Sequence, residues 1–206
     1  MFPMQNSVND RDYLCQQYLN TVYRDKKGHR SQPAAERIIS ESYGEILYPS
    51  VNKLLSILNL QEDDVFWDAG SGLGKLAMQV FLSSKVKAVY GIEIIPELHQ
   101  KACEAAQQLQ RELPEFYSNN RALEFLLGSF LEVPLENATV LFIGSPCFTP
   151  LMLDTLSYRI QNTPSIHTVL TLRPLCRLQR LTCTSYCRIQ GSWDTALCYI
   201  YRRATS

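Results

Sequence analysis

A glycine-rich turn flanked by two acidic residues is the part of the sequence best suited to chemistry. The segment Asp68–Gly74 reads DAGSGLG, and Glu93 lies 23 residues after Gly70. Glycine lets a backbone approach a ligand closely because it has no Cβ, and it accepts positive φ values. A carboxylate at this distance beyond the turn is suited to accept hydrogen bonds from the two hydroxyls of a ribose. The pattern therefore indicates a nucleoside site.

Asp68 indicates which kind of nucleoside is bound. A carboxylate at the end of the strand would repel a phosphate at the following helix N-terminus, whereas it would attract an amine or a sulfonium. No Lys-Ser or Lys-Thr pair follows at the spacing of a phosphate-binding loop. The combination favours S-adenosylmethionine over NAD. Two plainer roles compete: Asp68 as a cap on the helix that begins near Gly72, and Glu93 as a solvated strand end.

The elements that position these residues alternate between strand and helix. The apolar pattern predicts helices at Val51–Leu58, from about Leu73 to Ser83 and from Pro96 to about Leu113. It predicts strands at Val65–Asp68, Ala88–Ile94, Leu123–Leu127, Thr139–Ile143 and Thr168–Leu172, with a further helix between the last two, and a hairpin of Tyr186–Gly191 and Ala196–Arg202. Alternation with near-continuous apolar strands indicates an α/β fold with a doubly wound, mostly parallel sheet. With the hairpin at one edge, we expect the Rossmann-like, seven-stranded layout of the class I methyltransferases.

The chain divides into two parts in this interpretation. Residues 1–42 form an N-terminal helical annex, with one helix at Asp10–Tyr23 and a second, short one at Ala34–Ser42. Residues 43–206 form the methyltransferase domain.

Several motifs extend the pattern beyond the glycine turn. They are Tyr43–Glu45 (YGE), Asp64–Gly74 (DVFWDAGSGLG), Tyr90–Glu93 (YGIE), Gly128–Leu131 (GSFL), Arg173-Pro174 and Ser192-Trp193. Together they resemble the non-SET histone-lysine methyltransferases of the Dot (disruptor of telomeric silencing) type, over most of the chain. The glycine turn is common to the whole superfamily, whereas the YGE and YGxE motifs are more specific.

The resemblance implies an enzyme that transfers methyl groups from S-adenosyl-L-methionine, with a lysine side chain of a protein as the acceptor. It implies these cofactor-binding residues: Tyr43, Glu45, Asp68, Gly70, Gly72, Lys75, Glu93, Ser129 and Phe130. Phe130 would stack on the adenine. The implied acceptor site contains Gly144, Ser145, Phe148 and Trp193, with the two aromatic residues walling a narrow channel.

Two departures from the family pattern keep other functions open. Ser129 stands where the family has an aspartate that bonds the adenine amine, and Gly144-Ser145-Pro146 replaces an Asn-Asn-Phe trio. Serine brings no charge, and glycine has no side chain with which to position an amine. The alternatives are a methyltransferase for RNA or a small molecule, and a non-catalytic module that binds the cofactor.

Charge and cysteine content restrict the partners. Lysine plus arginine equals aspartate plus glutamate, 20 against 20, yet seven arginines and one acidic residue, Asp194, follow residue 154. This basic end indicates an acidic or nucleic-acid partner or, equally well, solvated faces, and the spacing of Arg173, Arg177 and Arg180 predicts one helical face. Seven cysteines without a CxxC pair indicate free thiols in a reducing compartment, cytoplasmic or nuclear, with a secreted effector as the alternative, and they indicate no metal site. No apolar stretch is long enough for a membrane span.

Overall fold

A computed structural model describes residues 8–26, 44–144 and 148–203. Three sequence predictions lie outside these ranges: the short annex helix at Ala34–Ser42, Tyr43 at the start of the YGE motif, and Ser145 in the acceptor site.

Helices and strands alternate along the chain as the sequence predicts. The helices are α1 (Val8–Val22), α2 (Tyr48–Leu58), α3 (Lys75–Ser83), α4 (Pro96–Glu112), a 3-10 helix (Pro114–Asn120) and α5 (Pro150–Gln161). The strands are β1 (Val65–Ala69), β2 (Ala88–Glu93), β3 (Ala122–Leu127), β4 (Val140–Ile143), β5 (Thr168–Thr171), β6 (Leu181–Gln190) and β7 (Thr195–Arg203).

The seven strands form one sheet in the order β3-β2-β1-β4-β5-β7-β6. Strands β1 to β5 run parallel to one another, whereas β7 pairs antiparallel with both β5 and β6. The predicted fold class is therefore confirmed, including the antiparallel hairpin at one edge. Since β1 and β2 end at the same edge of the sheet, the glycine turn and Glu93 meet there.

Apolar cores on both faces of the sheet hold the strands in place. Successive side chains of a strand point to opposite faces. Thus Phe66 packs with the cluster beneath α1 to α4, whereas Trp67 packs with the cluster beneath α5. All five residues of β1 are buried, which explains why this strand reads as a continuous apolar run up to Asp68.

The described helix of the annex, α1, docks against α2 and α3. The Asp12 carboxylate accepts hydrogen bonds from the Tyr48 hydroxyl (2.7 Å) and the Asn52 amide (2.8 Å). The Arg11 guanidinium donates to the Leu82 carbonyl at 3.2 Å. These contacts bring the turn after α1 close to the glycine turn.

Two predictions about local structure are wrong. Helix α3 begins at Lys75 instead of Leu73, because Gly74 has a left-handed conformation (φ 79°) that interrupts helical geometry. The segment from Arg173 to Arg180 is not a helix. It contains Pro174, which lacks a backbone N–H, and Arg177 has a positive φ of 69°.

Candidate nucleoside site

The glycine turn leaves open space above the end of β1. Gly70 has φ 86°, and a Cβ built on it would have no atom within 4 Å. Gly74 is constrained differently, because a Cβ there would overlap the Phe125 ring. Gly70 therefore borders open space from which a ligand can approach the backbone, while Gly74 permits close packing of the turn against the sheet.

Glu93 is fixed by the turn that it faces. The residue is 6% exposed, and its Oε2 accepts a hydrogen bond from the Gly72 N–H at 2.7 Å. Its Oε1 accepts one from the Ile95 N–H at 2.9 Å. A carboxylate has about four acceptor positions, so each oxygen keeps the capacity to bind a further donor such as a ribose hydroxyl. Its burial excludes the alternative of a solvated strand end.

Asp68 is a buried acid near the end of β1. It is 3% exposed, and none of the described residues donates a hydrogen bond to its side chain. Burial, and next the nearby Glu93 carboxylate, raise the pKa of Asp68 to about 7. The N-cap of α3 is Gly74, so Asp68 does not cap that helix. Two adjacent acids beside open space suit a ligand with hydroxyls and positive charge, and S-adenosylmethionine fits this description.

Three charged or aromatic side chains meet at one end of the turn. Lys75 Nζ lies 2.7 Å from Glu45 Oε2 and 5.3 Å from the centroid of the Tyr23 ring. The Tyr23 hydroxyl donates to the Leu73 carbonyl within the turn, at 3.0 Å. The sequence patterns did not indicate Tyr23, because its contact with Leu73 joins residues 50 positions apart.

Gly44 and Glu45 are held by the turn between β6 and β7. The Glu45 N–H donates to Ser192 Oγ at 3.0 Å, and the Ser192 N–H donates to the Glu45 carbonyl at 2.7 Å. The Trp193 ring packs so closely on Gly44 and Gly191 that a Cβ on either glycine would overlap it. The hairpin therefore positions Glu45 and Trp193 together, although 147 residues separate Glu45 from Ser192.

An aromatic stack lies in the loop after β3. The Phe130 and Phe148 rings are stacked with centroids 4.7 Å apart, and Phe148 is 4% exposed. The Ser129 Oγ accepts a hydrogen bond from the Leu131 N–H at 3.1 Å. Arg159 supports this loop by donating to the carbonyls of Phe130 and Val133. Phe148 thus buttresses the residue predicted to stack on adenine, a contact that the sequence patterns did not indicate.

The described residues of the predicted acceptor site are divided among the end of β4, the contact with Phe130 and the contact with Gly44. Gly144 directly follows β4, while Phe148 contacts Phe130 and Trp193 contacts Gly44. Ile94 is an apolar residue that was not among the predicted site residues. It follows Glu93 and is 37% exposed, at the edge of the sheet that carries the candidate site.

Several of the seven arginines after residue 154 donate to backbone carbonyls of the fold. Arg202 donates to the Ile57 carbonyl at 2.6 Å, and Arg203 donates to the carbonyls of Pro164 and Ile166. Together with Arg159, these guanidiniums hold backbone segments of the fold. Within the described ranges, no group of three or more His, Cys, Asp or Glu residues could hold a metal ion. No described helix is long and apolar enough to cross a membrane.

Comparisons with known proteins agree with this geometry. A family model described as "Histone methylation protein DOT1" matches residues 32–190. A Caenorhabditis elegans "Histone-lysine N-methyltransferase, H3 lysine-79 specific" is 32% identical over 114 residues, which are 53% of this chain and 12% of that protein. A Clostridium tetani protein described as an "Uncharacterized RNA methyltransferase" is 38% identical over 84 residues, 41% of this chain and 15% of that protein. The chain thus spans about an eighth of the length of these curated relatives.

A solved structure shows the same fold. The RNA methyltransferase from Salinibacter ruber, in complex with S-adenosyl-L-homocysteine, has a TM-score of 0.53 at 20% identity, covering 77% of this chain and 92% of that one. The sheet order, the glycine turn and the two carboxylates place the chain in the class I methyltransferases, whose cofactor is S-adenosylmethionine. Within that class, the chain belongs to the DOT1 histone methylation family, as the motifs predicted.

Proposed function

We propose that the chain transfers a methyl group from S-adenosylmethionine to a lysine amine of a protein. The observation that carries the proposal is the pair of buried carboxylates, Asp68 and Glu93, beside the open space over Gly70 in a chain of the DOT1 family. When bound, the cofactor supplies a methyl group activated by a sulfonium.

The residues of the chain would bind the cofactor and orient it for the transfer. Glu93 is fixed by two backbone N–H groups, so it offers its remaining lone pairs to the ribose without reorganising. Asp68, when ionised, would attract the positive charge of the cofactor, and Phe130, backed by Phe148, would offer one ring face to the adenine.

The acceptor amine must be neutral before transfer, since the nitrogen lone pair forms the new bond. In the transfer the new N–C bond would form as the C–S bond broke, with the electron pair of that bond kept by sulfur. The methylated nitrogen would then release a proton to solvent. The carbonyl of Gly144 at the end of β4 can accept a hydrogen bond from the amine and orient its lone pair, with Ser145 as a second candidate. Trp193 would exclude water. Alignment of this kind supplies about 7–11 kcal/mol of the barrier reduction.

RNA is the second candidate acceptor. The relative from Clostridium tetani and the Salinibacter ruber structure are both described as RNA methyltransferases. Replacement of the Asn-Asn-Phe trio by Gly144-Ser145-Pro146 removes two amide side chains from the acceptor side, which favours an acceptor other than a histone lysine.

Transfer of labelled methyl groups separates these acceptors. The protein is incubated with methyl-tritiated S-adenosylmethionine and, in separate reactions, nucleosomes, free histones, lysate protein and total RNA. We expect label in a protein fraction that survives nuclease and is located on lysine by mass spectrometry. Label confined to RNA would refute the lysine acceptor. The control is Glu93→Gln, which keeps the side-chain shape but removes a ribose acceptor and should lose the label in every fraction.

A further inference from the structure

Two cysteines face each other across the terminal hairpin. In the register of β6 and β7, Cys187 lies directly opposite Cys198. Opposed residues of antiparallel strands have Cα atoms about 4.5–5.5 Å apart, which lies within the range of about 4.4–6.8 Å that a disulfide spans. Both residues are free thiols that pack against the cluster beneath α1 to α4, and the Cys198 thiol donates a hydrogen bond to the Cys187 sulfur.

We propose that Cys187 and Cys198 are a redox modification site, at which a peroxide converts the two thiols into a reversible disulfide between β6 and β7. The inference goes beyond the proposed function, since it concerns neither the cofactor nor the methyl acceptor. It assigns a chemical role to the hairpin, whose far end contacts the candidate nucleoside site through Glu45.

The two thiols differ in access and in acidity. Cys187 is partly exposed, whereas Cys198 is completely buried. Burial raises the pKa of both thiols, that of Cys198 to about 12, while the nearby Lys53 ammonium opposes the rise at Cys187. The thiolate is the form of cysteine that reacts with a peroxide. Cys187 is therefore the first to react, and Cys198 supplies the second thiol.

The reaction consumes one molecule of hydrogen peroxide. The Cys187 thiolate attacks one peroxide oxygen and the O–O bond breaks, which gives a sulfenic acid and a hydroxide that takes up the proton released by Cys187. The Cys198 sulfur then attacks the sulfenic sulfur. The S–S bond forms as the S–O bond breaks, and the oxygen leaves as water with the Cys198 proton. Both sulfurs are oxidised, and the peroxide is reduced to two molecules of water.

An irregularity in β6 keeps Cys183 away from this pair. The register shifts between Cys183 and Ser185, so that Cys183 lies opposite Tyr201. Tyr201 belongs to the cluster beneath α5, on the other face of the sheet from Cys198. Since opposed residues share a face, Cys183 is an exposed thiol on the face that Cys198 does not reach. The same strand therefore carries a matched control cysteine.

The disulfide would brace the end of the hairpin that holds the segment before α2. Beyond the cysteine pair, the Gln190 carbonyl accepts a hydrogen bond from the Leu47 N–H at 2.9 Å. Ser192 exchanges two hydrogen bonds with the backbone of Glu45. A cross-link between β6 and β7 opposes separation of these strands and so slows local unfolding of the turn that they carry. The redox state of the pair is thereby coupled to the segment that carries Glu45.

Peptide mapping of the folded, full chain tests the site. Trypsin cleaves after Arg188, so Cys187 and Cys198 fall in separate peptides, 181–188 and 189–202. The protein is treated with hydrogen peroxide, the remaining thiols are blocked with N-ethylmaleimide, and the digest is analysed by mass spectrometry before and after reduction with dithiothreitol. Fragmentation of the linked peptide distinguishes Cys187 from Cys183, which lies in the same peptide.

We expect the dominant disulfide to join Cys187 to Cys198, with a loss of two hydrogens that dithiothreitol reverses. Cys187→Ser should abolish this link, and the matched control Cys183→Ser should leave its yield unchanged. In Cys198→Ala the second thiol is missing, so the Cys187 sulfenic acid should persist and be trapped by dimedone. Hydrogen exchange at the Leu47 and Ser192 amides should be slower in the oxidised wild type than in the reduced one, and unchanged by peroxide in Cys187→Ser.

A dominant disulfide through Cys183, or a folded wild type that keeps all its thiols, would overturn the proposal. So would an undiminished link to Cys198 in Cys187→Ser. If Cys198→Ala fails to fold, the comparison of Cys187→Ser with Cys183→Ser still decides, because both replace a cysteine that is at least partly exposed. Unchanged hydrogen exchange after complete formation of the disulfide would overturn its coupling to the Glu45 segment.

Discussion

Replacement of Asp68 by asparagine should stabilise the ligand-free protein at neutral and alkaline pH. Asparagine keeps the shape of aspartate and removes a charge that is buried beside Glu93 without a hydrogen-bond donor among the described residues. The pKa of Asp68 is raised from 3.8 to about 7 by burial and then by Glu93. At about 1.4 kcal/mol per unit, this shift corresponds to a destabilisation of roughly 4 kcal/mol when Asp68 is ionised.

The pH dependence follows from the direction of the shift. Because the folded state holds the proton more tightly than the unfolded state, the wild type loses stability as the pH rises from about 4 to about 7. The destabilisation by ionised Asp68 is complete above about pH 7, and it is absent below the pKa that the aspartate has in the unfolded state. Asp68→Asn should therefore match the wild type near pH 4 and exceed its free energy of unfolding by up to roughly 4 kcal/mol at pH 8.

Urea denaturation of the ligand-free protein at several pH values measures this difference. Asp154→Asn, which removes an exposed carboxylate from α5, is the control for the general effect of charge. A difference between Asp68→Asn and wild type that stays constant from pH 4 to pH 8 would refute the reasoning. So would a variant that is less stable than the wild type at pH 8.

Three further changes test other parts of the site. Binding of S-adenosylmethionine should weaken about 30-fold between pH 8 and pH 5.5, as Asp68 takes up a proton, whereas calorimetry should show no such trend for Asp68→Asn. Gly74→Ala should lower the urea midpoint more than Gly70→Ala, because only the Cβ added at Gly74 overlaps the Phe125 ring. Gly70→Ala should reduce the cofactor affinity more than Gly74→Ala. A larger stability loss for Gly70→Ala, or a larger affinity loss for Gly74→Ala, would contradict the turn geometry. Arg159→Met should lower the free energy of unfolding by about 2 kcal/mol and weaken adenosine binding, because the carbonyls of Phe130 and Val133 lose a charged donor. Urea denaturation measures the first effect, and unchanged stability would contradict the support that Arg159 gives to this loop.

The sequence predicts the backbone geometry at the centre of the candidate site because that geometry depends on local chemistry. Burial on both faces makes β1 a continuous apolar run, and the glycines mark the place where the backbone must turn with positive φ. The position of Glu93 at the end of β2 follows from the parallel alignment of two neighbouring strands.

The edges of the site depend on contacts between distant residues, which the patterns do not encode. Tyr23 reaches Leu73 only after α1 has docked, and Phe148 reaches Phe130 only after the loops on two strands have met. The helical spacing of Arg173, Arg177 and Arg180 was misleading, because Pro174 and the positive φ of Arg177 break the helix that the spacing implies.

A crystal structure with S-adenosylmethionine or S-adenosylhomocysteine tests the central claim most directly. We predict the ribose hydroxyls within hydrogen-bonding distance of the Glu93 carboxylate, with the amino-acid end of the ligand over Gly70 and beside Asp68. A saturated crystal in which the nucleoside lies elsewhere, or in which no ligand density appears between these two carboxylates, would contradict it.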